Sequence, residues 1–136
     1  MRVIICGDRN WNDMTTMAAI MSLFPTDTII IQGGCNGADN MAAKIGCVKG
    51  FRVETYPADW KKHGPSAGPI RNANMLKRDP ERVIAFHNDV THSRGTMNMI
   101  IQALRKGVRV TLVTSAWMGD VLSEQQLTQL PPVVIE

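Results

Sequence analysis

The chain has 136 residues, 44% hydrophobic and 20% charged, which is the length of one average domain and too apolar for a disordered tail. Fifteen Lys and Arg against 12 Asp and Glu leave a net charge of +3, an excess that helps hold an anionic ligand but is too small to argue for nucleic acid. Cys6, Cys35 and Cys47 form no C-x-x-C pair, which excludes a disulfide framework and a zinc knuckle and fits a reducing compartment.

In chain order, residues 2–6 (RVIIC) predict a short apolar strand and 13–23 a helix. Residues 28–32 (TIIIQ) predict a second strand, followed by a helix over 38–49. A third strand over 51–56 leads to a helix over 69–78, and a fourth over 82–86 (RVIAF) to a helix over 94–106. Residues 108–113 (VRVTLV) make a fifth strand. Continuous Val/Ile runs of this length suit strands covered on both faces. Strands alternating with helices predict one α/β domain over 1–136, doubly wound around a mostly parallel five-stranded sheet. Residues 114–136 form a C-terminal extension in which Val133 to Ile135, after Pro131-Pro132, is a candidate extra edge strand. The apolar runs fall far short of a membrane span, and Met1 opens directly on a strand rather than a cationic leader. A cytoplasmic location and no membrane partner are therefore expected.

In such a sheet, ligands bind at the carboxyl ends of the strands. Gly7-Asp8-Arg9-Asn10-Trp11 follows the first strand, and Gly33-Gly34-Cys35-Asn36-Gly37-Ala38-Asp39 the second. Asp59-Trp60 and then Gly68-Pro69-Ile70-Arg71-Asn72 come after the third, and His87-Asn88-Asp89 with Ser93-Arg94-Gly95-Thr96 after the fourth. Polar, glycine-rich segments thus gather on one rim, while helix-to-strand connections such as Lys106-Gly107 are plain.

Residues 33–39 read as strand, glycine turn and helix, where a backbone can approach an anion closely. They match neither a Walker loop nor G-x-G-x-x-G. Asp39 would repel a phosphate, so it either binds a ribose or simply complements the helix dipole. Arg71 suits bidentate capture of a phosphate, or else pairs with Asp59 or another acid; Asn72 is a ligand amide or a helix-surface one. Ser93 is a candidate N-cap beside Arg94, Gly95 and Thr96. Arg9 and Trp11 could hold a phosphate and a base, or Trp11 could staple the first helix. His63, His87 and His92 have no metal-ligand spacing with one another or with cysteine, so no metal and no cofactor are assigned.

Together these segments resemble the SLOG superfamily, and within it the small YAcAr-type proteins of phages and bacteria. The resemblance rests on Cys6-Gly7-Asp8-Arg9 with Trp11, Gly33-Gly34 with Gly37-Ala38-Asp39, Tyr56-Pro57-Ala58-Asp59-Trp60 with His63-Gly64, Ala67-Gly68-Pro69-Ile70-Arg71-Asn72 with Met75, and Arg94-Gly95-Thr96. It implies a Rossmann-like fold that binds nucleotides or nucleotide-derived ligands, and assembly into homo-oligomers. Among relatives, lonely-guy proteins cleave the base from a nucleoside monophosphate, others sense ADP-ribose-like signals in bacterial defence, and DNA-processing protein A binds single-stranded DNA. A phage-encoded member would act in the bacterial host cytoplasm, where it could sequester a defence signal. Lonely-guy enzymes carry Gly-Gly-x-Gly-Thr-x-x-Glu; here the stretch is His92 to Met99, and Met99 stands where that Glu would be. A methionine cannot stabilise an oxocarbenium-like transition state or activate water. No catalytic residue is assigned, and binding is expected over turnover, with an N-glycosidase using Asp39 or Asp89, or a single-stranded DNA binder, as the alternatives.

Overall fold

The computed structural model describes residues 1–127. Its strands are β1 (Arg2–Gly7), β2 (Ile29–Gln32), β3 (Arg52–Thr55), β4 (Arg82–Phe86), β5 (Arg109–Val113) and β6 (Met118–Val121). They form one six-stranded sheet in the order β3-β2-β1-β4-β5-β6, parallel throughout except for β6, which runs antiparallel to β5. The helices are α1 (Met14–Met21), α2 (Ala38–Lys49), α3 (Trp60–His63), α4 (Ala67–Leu76), α5 (Arg94–Arg105) and α6 (Glu124–Leu127). The expected α/β, Rossmann-like, doubly wound sheet is what the chain adopts.

The two-sided burial that the Val/Ile runs imply is visible strand by strand. Val3, Ile5, Ile30, Ile84 and Phe86 face the layer of α1 and α2, where they meet Met17, Met21, Ala42 and Ile45. Ile4, Cys6, Ile31, Val83 and Ala85 face the other layer, where they meet Met75, Leu76, Met99 and Ile100. Successive residues alternate between the two cores, as the period of a strand requires.

Three local differences from the sequence reading have physical causes. Helix α4 starts at Ala67, fed by a 3-10 turn over Gly64–Ser66, so Pro69 lies inside its first turn, where a missing N–H breaks no helical bond. The short helix α3 follows Asp59, whose carboxylate accepts from the Lys62 N–H at 3.1 Å. The sixth strand is Met118–Val121, unanticipated because its Gly and Asp have poor strand propensity. It is folded back by Thr114, whose Oγ1 accepts from the N–H groups of Ala116 and Trp117 at 3.1 and 2.9 Å. The candidate strand at Val133 to Ile135 lies outside the described residues.

Strand order reverses direction between β1 and β4, with β2-β3 built out on one side and β5-β6 on the other. That switch point leaves a crevice at the carboxyl ends of β1 and β4.

Candidate functional site

Two loops meet above the switch point because glycine lets them. Gly7 sits at φ +150°, and a Cβ there would run into the Phe86 carbonyl, so β1 and β4 stay paired to their last residues. Asp8 then donates its N–H to Phe86 O at 2.9 Å, while its own carbonyl accepts from Trp11 N at 3.1 Å and Ala38 N at 3.0 Å. Gly37, at φ +78°, lies so close to the Asp8 carbonyl and the Arg9 backbone that a side chain would collide with both. The first and second rim loops are therefore one packed unit.

The second loop is braced from below and from the side. Buried Gln32 accepts the Gly34 N–H at 2.6 Å and donates to Thr55 Oγ1 at 2.6 Å. Asp39 is buried, and its Oδ2 accepts from the Cys35 N–H at 3.2 Å. Burial pushes its carboxyl up from the ordinary range, against the opposing pull of those hydrogen bonds and of Arg71. Arg71 donates from Nη1 to Gly33 O and from Nε to Asn72 Oδ1, both at 2.9 Å, so its guanidinium lies across Gly33 beside the Asp39 carboxylate. Asn72 is buried and donates to Gly95 O at 3.3 Å and Asn98 Oδ1 at 3.2 Å, joining α4 to α5. Asp39 thus holds its own turn, Arg71 lies beside an acid other than Asp59, and Asn72 is neither on the helix surface nor open to the rim but bridges α4 to α5.

Trp11 is likewise packing: it is buried, edge-on to Phe86 with centroids 5.5 Å apart, and its indole N–H donates to Asp13 O. A ring held there cannot stack on a base. Asp59 caps α3, exposed. Asn36 is exposed on the second loop, accepting from Asn40 Nδ2 at 3.3 Å.

The fourth strand's rim is open to solvent. Ser93 caps α5, its Oγ accepting from Thr96 N at 3.3 Å, and Met97 N bonds to Ser93 O. Among the described residues the Arg94 and Gly95 N–H groups have no hydrogen-bond partner, at the start of a 12-residue helix with open space beside Gly95. Thr96 is buried beneath them. Arg94 and, after β1, Arg9 are both exposed, and neither has a hydrogen-bond or ion-pair partner among the described residues. Met99 is in the core.

One rim residue that the sequence places after the fourth strand, but to which it assigns no role, is His87. His87 follows β4 directly, is buried, and accepts the Asp89 N–H on Nδ1 at 2.9 Å. Burial pushes its pKa below the ordinary 6.5, with Asp8 and then Asp89 pulling the other way. Its only signal was position, since a lone histidine after a strand carries no motif. Cys6 beneath the site is an inert thiol, its pKa pushed far up by burial. A cavity of about 390 Å³ lined by Met1, Phe24, Ile84 and Arg109 lies at the amino ends of the strands, the wrong end for a ligand in a doubly wound sheet.

Two comparisons place this chain in a family. The model described as YAcAr, the YspA, cpYpsA-related SLOG family, matches residues 1–63, which include both packed rim loops. Gene 61 protein of Mycobacterium phage D29 is 33% identical over 118 residues, spanning 80% of this chain and 93% of that protein. The chain belongs to the YAcAr family. No solved structure matches. Membership in this SLOG branch associates the Rossmann-like sheet with nucleotide-related binding or processing. The YAcAr match ends at residue 63, so the Arg71 and Arg94 segments are read from their own geometry. Among the described residues no helix is long and apolar enough to cross a membrane.

Proposed function

We propose that this YAcAr protein binds a nucleotide or nucleotide-derived ligand, a nucleoside phosphate or an ADP-ribose-like compound, in the crevice between β1 and β4. The observation that carries the reading is the pair of unpartnered guanidiniums, Arg9 and Arg94, at the carboxyl ends of the two strands that flank the switch point. With the free Arg94 and Gly95 N–H groups they supply charge and directed donors for phosphate oxygens. Arg71 and Asp39 act from beneath, by fixing the second glycine loop.

Three features favour holding the ligand over cleaving it. Met99 is buried and has no acid-base capacity. Asp39 is turned inward on its own turn. Asp89 is paired with His92 at 2.8 Å, and that hydrogen bond holds its carboxyl below the usual range, making it a weak base. With a phage protein among its relatives, sequestration of a host nucleotide signal is the setting we favour.

The test is equilibrium dialysis of the protein against nucleoside monophosphates, NAD, ADP-ribose and cyclic nucleotides, with both chambers read by mass spectrometry. An intact compound enriched with the protein is expected, its affinity falling at least about tenfold in the double variant Arg9→Ala, Arg94→Ala. Unchanged affinity in that variant overturns the phosphate assignment. Free base accumulating beyond one equivalent of protein overturns binding without turnover.

A further inference from the structure

The reading of the rim as a nucleotide site rests on cations, yet the floor of the crevice carries the opposite charge. Asp8 and Asp89 flank His87, and both act on its ring electrostatically. A phosphate would be repelled there. The register of the strands explains why these groups meet: Gly7 pairs with Phe86, so Asp8 and His87 are the next residues on adjacent parallel strands. Both are pinned through the main chain, Asp8 N to Phe86 O at 2.9 Å and His87 N to Val113 O at 3.0 Å.

The side chains present complementary hydrogen-bonding atoms. Because His87 Nδ1 accepts the Asp89 N–H, the imidazole proton of the neutral ring belongs on Nε2. Nε2 has no partner among the described residues, and no buried side-chain nitrogen or oxygen there lacks one, so this N–H opens to solvent. Asp8 Oδ1 accepts from the Asn10 N–H at 2.9 Å, which leaves Oδ2 without a partner among the described residues. The result is one donor and one free acceptor at the ends of adjacent parallel strands. A hydroxyl is the common group that both donates and accepts, and a carboxylate beside a neutral donor suits it where it would reject an anion.

We infer that Asp8 and His87 form a sugar-hydroxyl subsite, in which a ribose hydroxyl of the ligand donates to Asp8 Oδ2 and accepts from His87 Nε2. Arg9 and Arg94 then take the phosphates, and the ribose spans the switch point between them. This deepens the nucleotide reading and depends on it.

The test measures affinity for the four ribonucleoside 5′-monophosphates and diphosphates and for their 2′-deoxy and 3′-deoxy counterparts. The wild-type protein is expected to favour the ribo form over one deoxy form by about tenfold or more, the loss that follows when a hydroxyl's hydrogen bonds, one of them to a carboxylate, are removed. Asp8→Asn keeps the acceptor for the Asn10 N–H but turns the free oxygen into a donor. His87→Phe removes the donor altogether. In both variants the ratio of ribo to deoxy affinity, measured within the same variant, should shrink to within about threefold. His87→Gln can accept with its carbonyl oxygen and donate with its amide nitrogen, so it should retain most of the preference. A full ribo preference in Asp8→Asn, or no ribo preference in the wild type, overturns the subsite while leaving the nucleotide site standing. Binding of none of these nucleotides overturns the nucleotide reading itself.

Discussion

Residues of one chemical type divide sharply by environment in this site. Arg71 and Arg94 both lie in glycine-containing rim segments and are both guanidiniums. Arg71 is half-buried, with two nitrogens committed to Gly33 O and Asn72 Oδ1, whereas Arg94 stands exposed and unpartnered. Carboxylates divide in the same way: Asp39 braces a turn from inside, and Asp8 keeps one oxygen open at the crevice. Gly37 is where a single residue decides the geometry. Its φ of +78° is costly for any other residue, and a Cβ would strike the Asp8 carbonyl and the Arg9 backbone. Gly37→Ala should therefore lose about 1–3 kcal/mol of stability in urea titrations and release the first loop from the second. Nucleotide affinity should drop with it. An alanine variant as stable as wild type would show that the two loops are not packed as one unit.

At the level of elements, most of the architecture was legible because periodicity and burial agree. The helix at 38–49 and the strand at 82–86 match α2 and β4 to the residue, the strand because an apolar run buried on both faces has few alternatives and the helix because Gly37 and Gly50 bound it. Short, half-exposed elements were not legible. β6 is four residues long, with two of them only partly buried, and it follows a tight turn held by the hydroxyl and the N–H of Thr114. The site divides along the same line. Its rim segments were visible as glycine-rich stretches after strands, but sequence cannot say which way a side chain turns. Trp11 and Asn72 face inward because the core at Phe86 and the α4–α5 contact have room for them. His87 is legible as a rim residue but carries no motif, and only the parallel register of β1 and β4 puts it and Asp8 next on adjacent strands.

For the molecule as a whole, the charge network predicts a particular response to acid. Glu54 is held below its usual 4.5 chiefly by hydrogen bonds from Arg78, at 2.9 Å to each carboxylate oxygen. Asp120 is held below 3.8 by Arg109 and then Thr111, and Asp13 by Thr16. Groups shifted this way bind fewer protons when folded, so their stabilisation is complete above the unfolded values and is lost as pH falls through them. His87 adds to the loss below 6.5, because burial makes the unfolded chain the better proton acceptor. Asp39 works in the opposite sense, holding its proton longer in the folded state above 3.8. The urea midpoint should thus decline on acidification, first gently below pH 6.5 and then steeply below pH 4.5. The double variant Glu54→Gln, Asp120→Asn should flatten the steep portion, each surface pair contributing about 0.2–1 kcal/mol near neutrality. An acid limb identical to wild type would mean that these pairs do not carry the dependence.

Where a nucleotide sits is read directly from an amide chemical-shift map of the protein titrated with the best-bound compound of the nucleotide panel. Shifts concentrated at residues 7–10, 33–37 and 87–96, fading toward the amino ends of the strands, are the predicted result. Shifts gathered instead around Met1, Phe24, Ile84 and Arg109, at the cavity on the opposite end of the sheet, would contradict it.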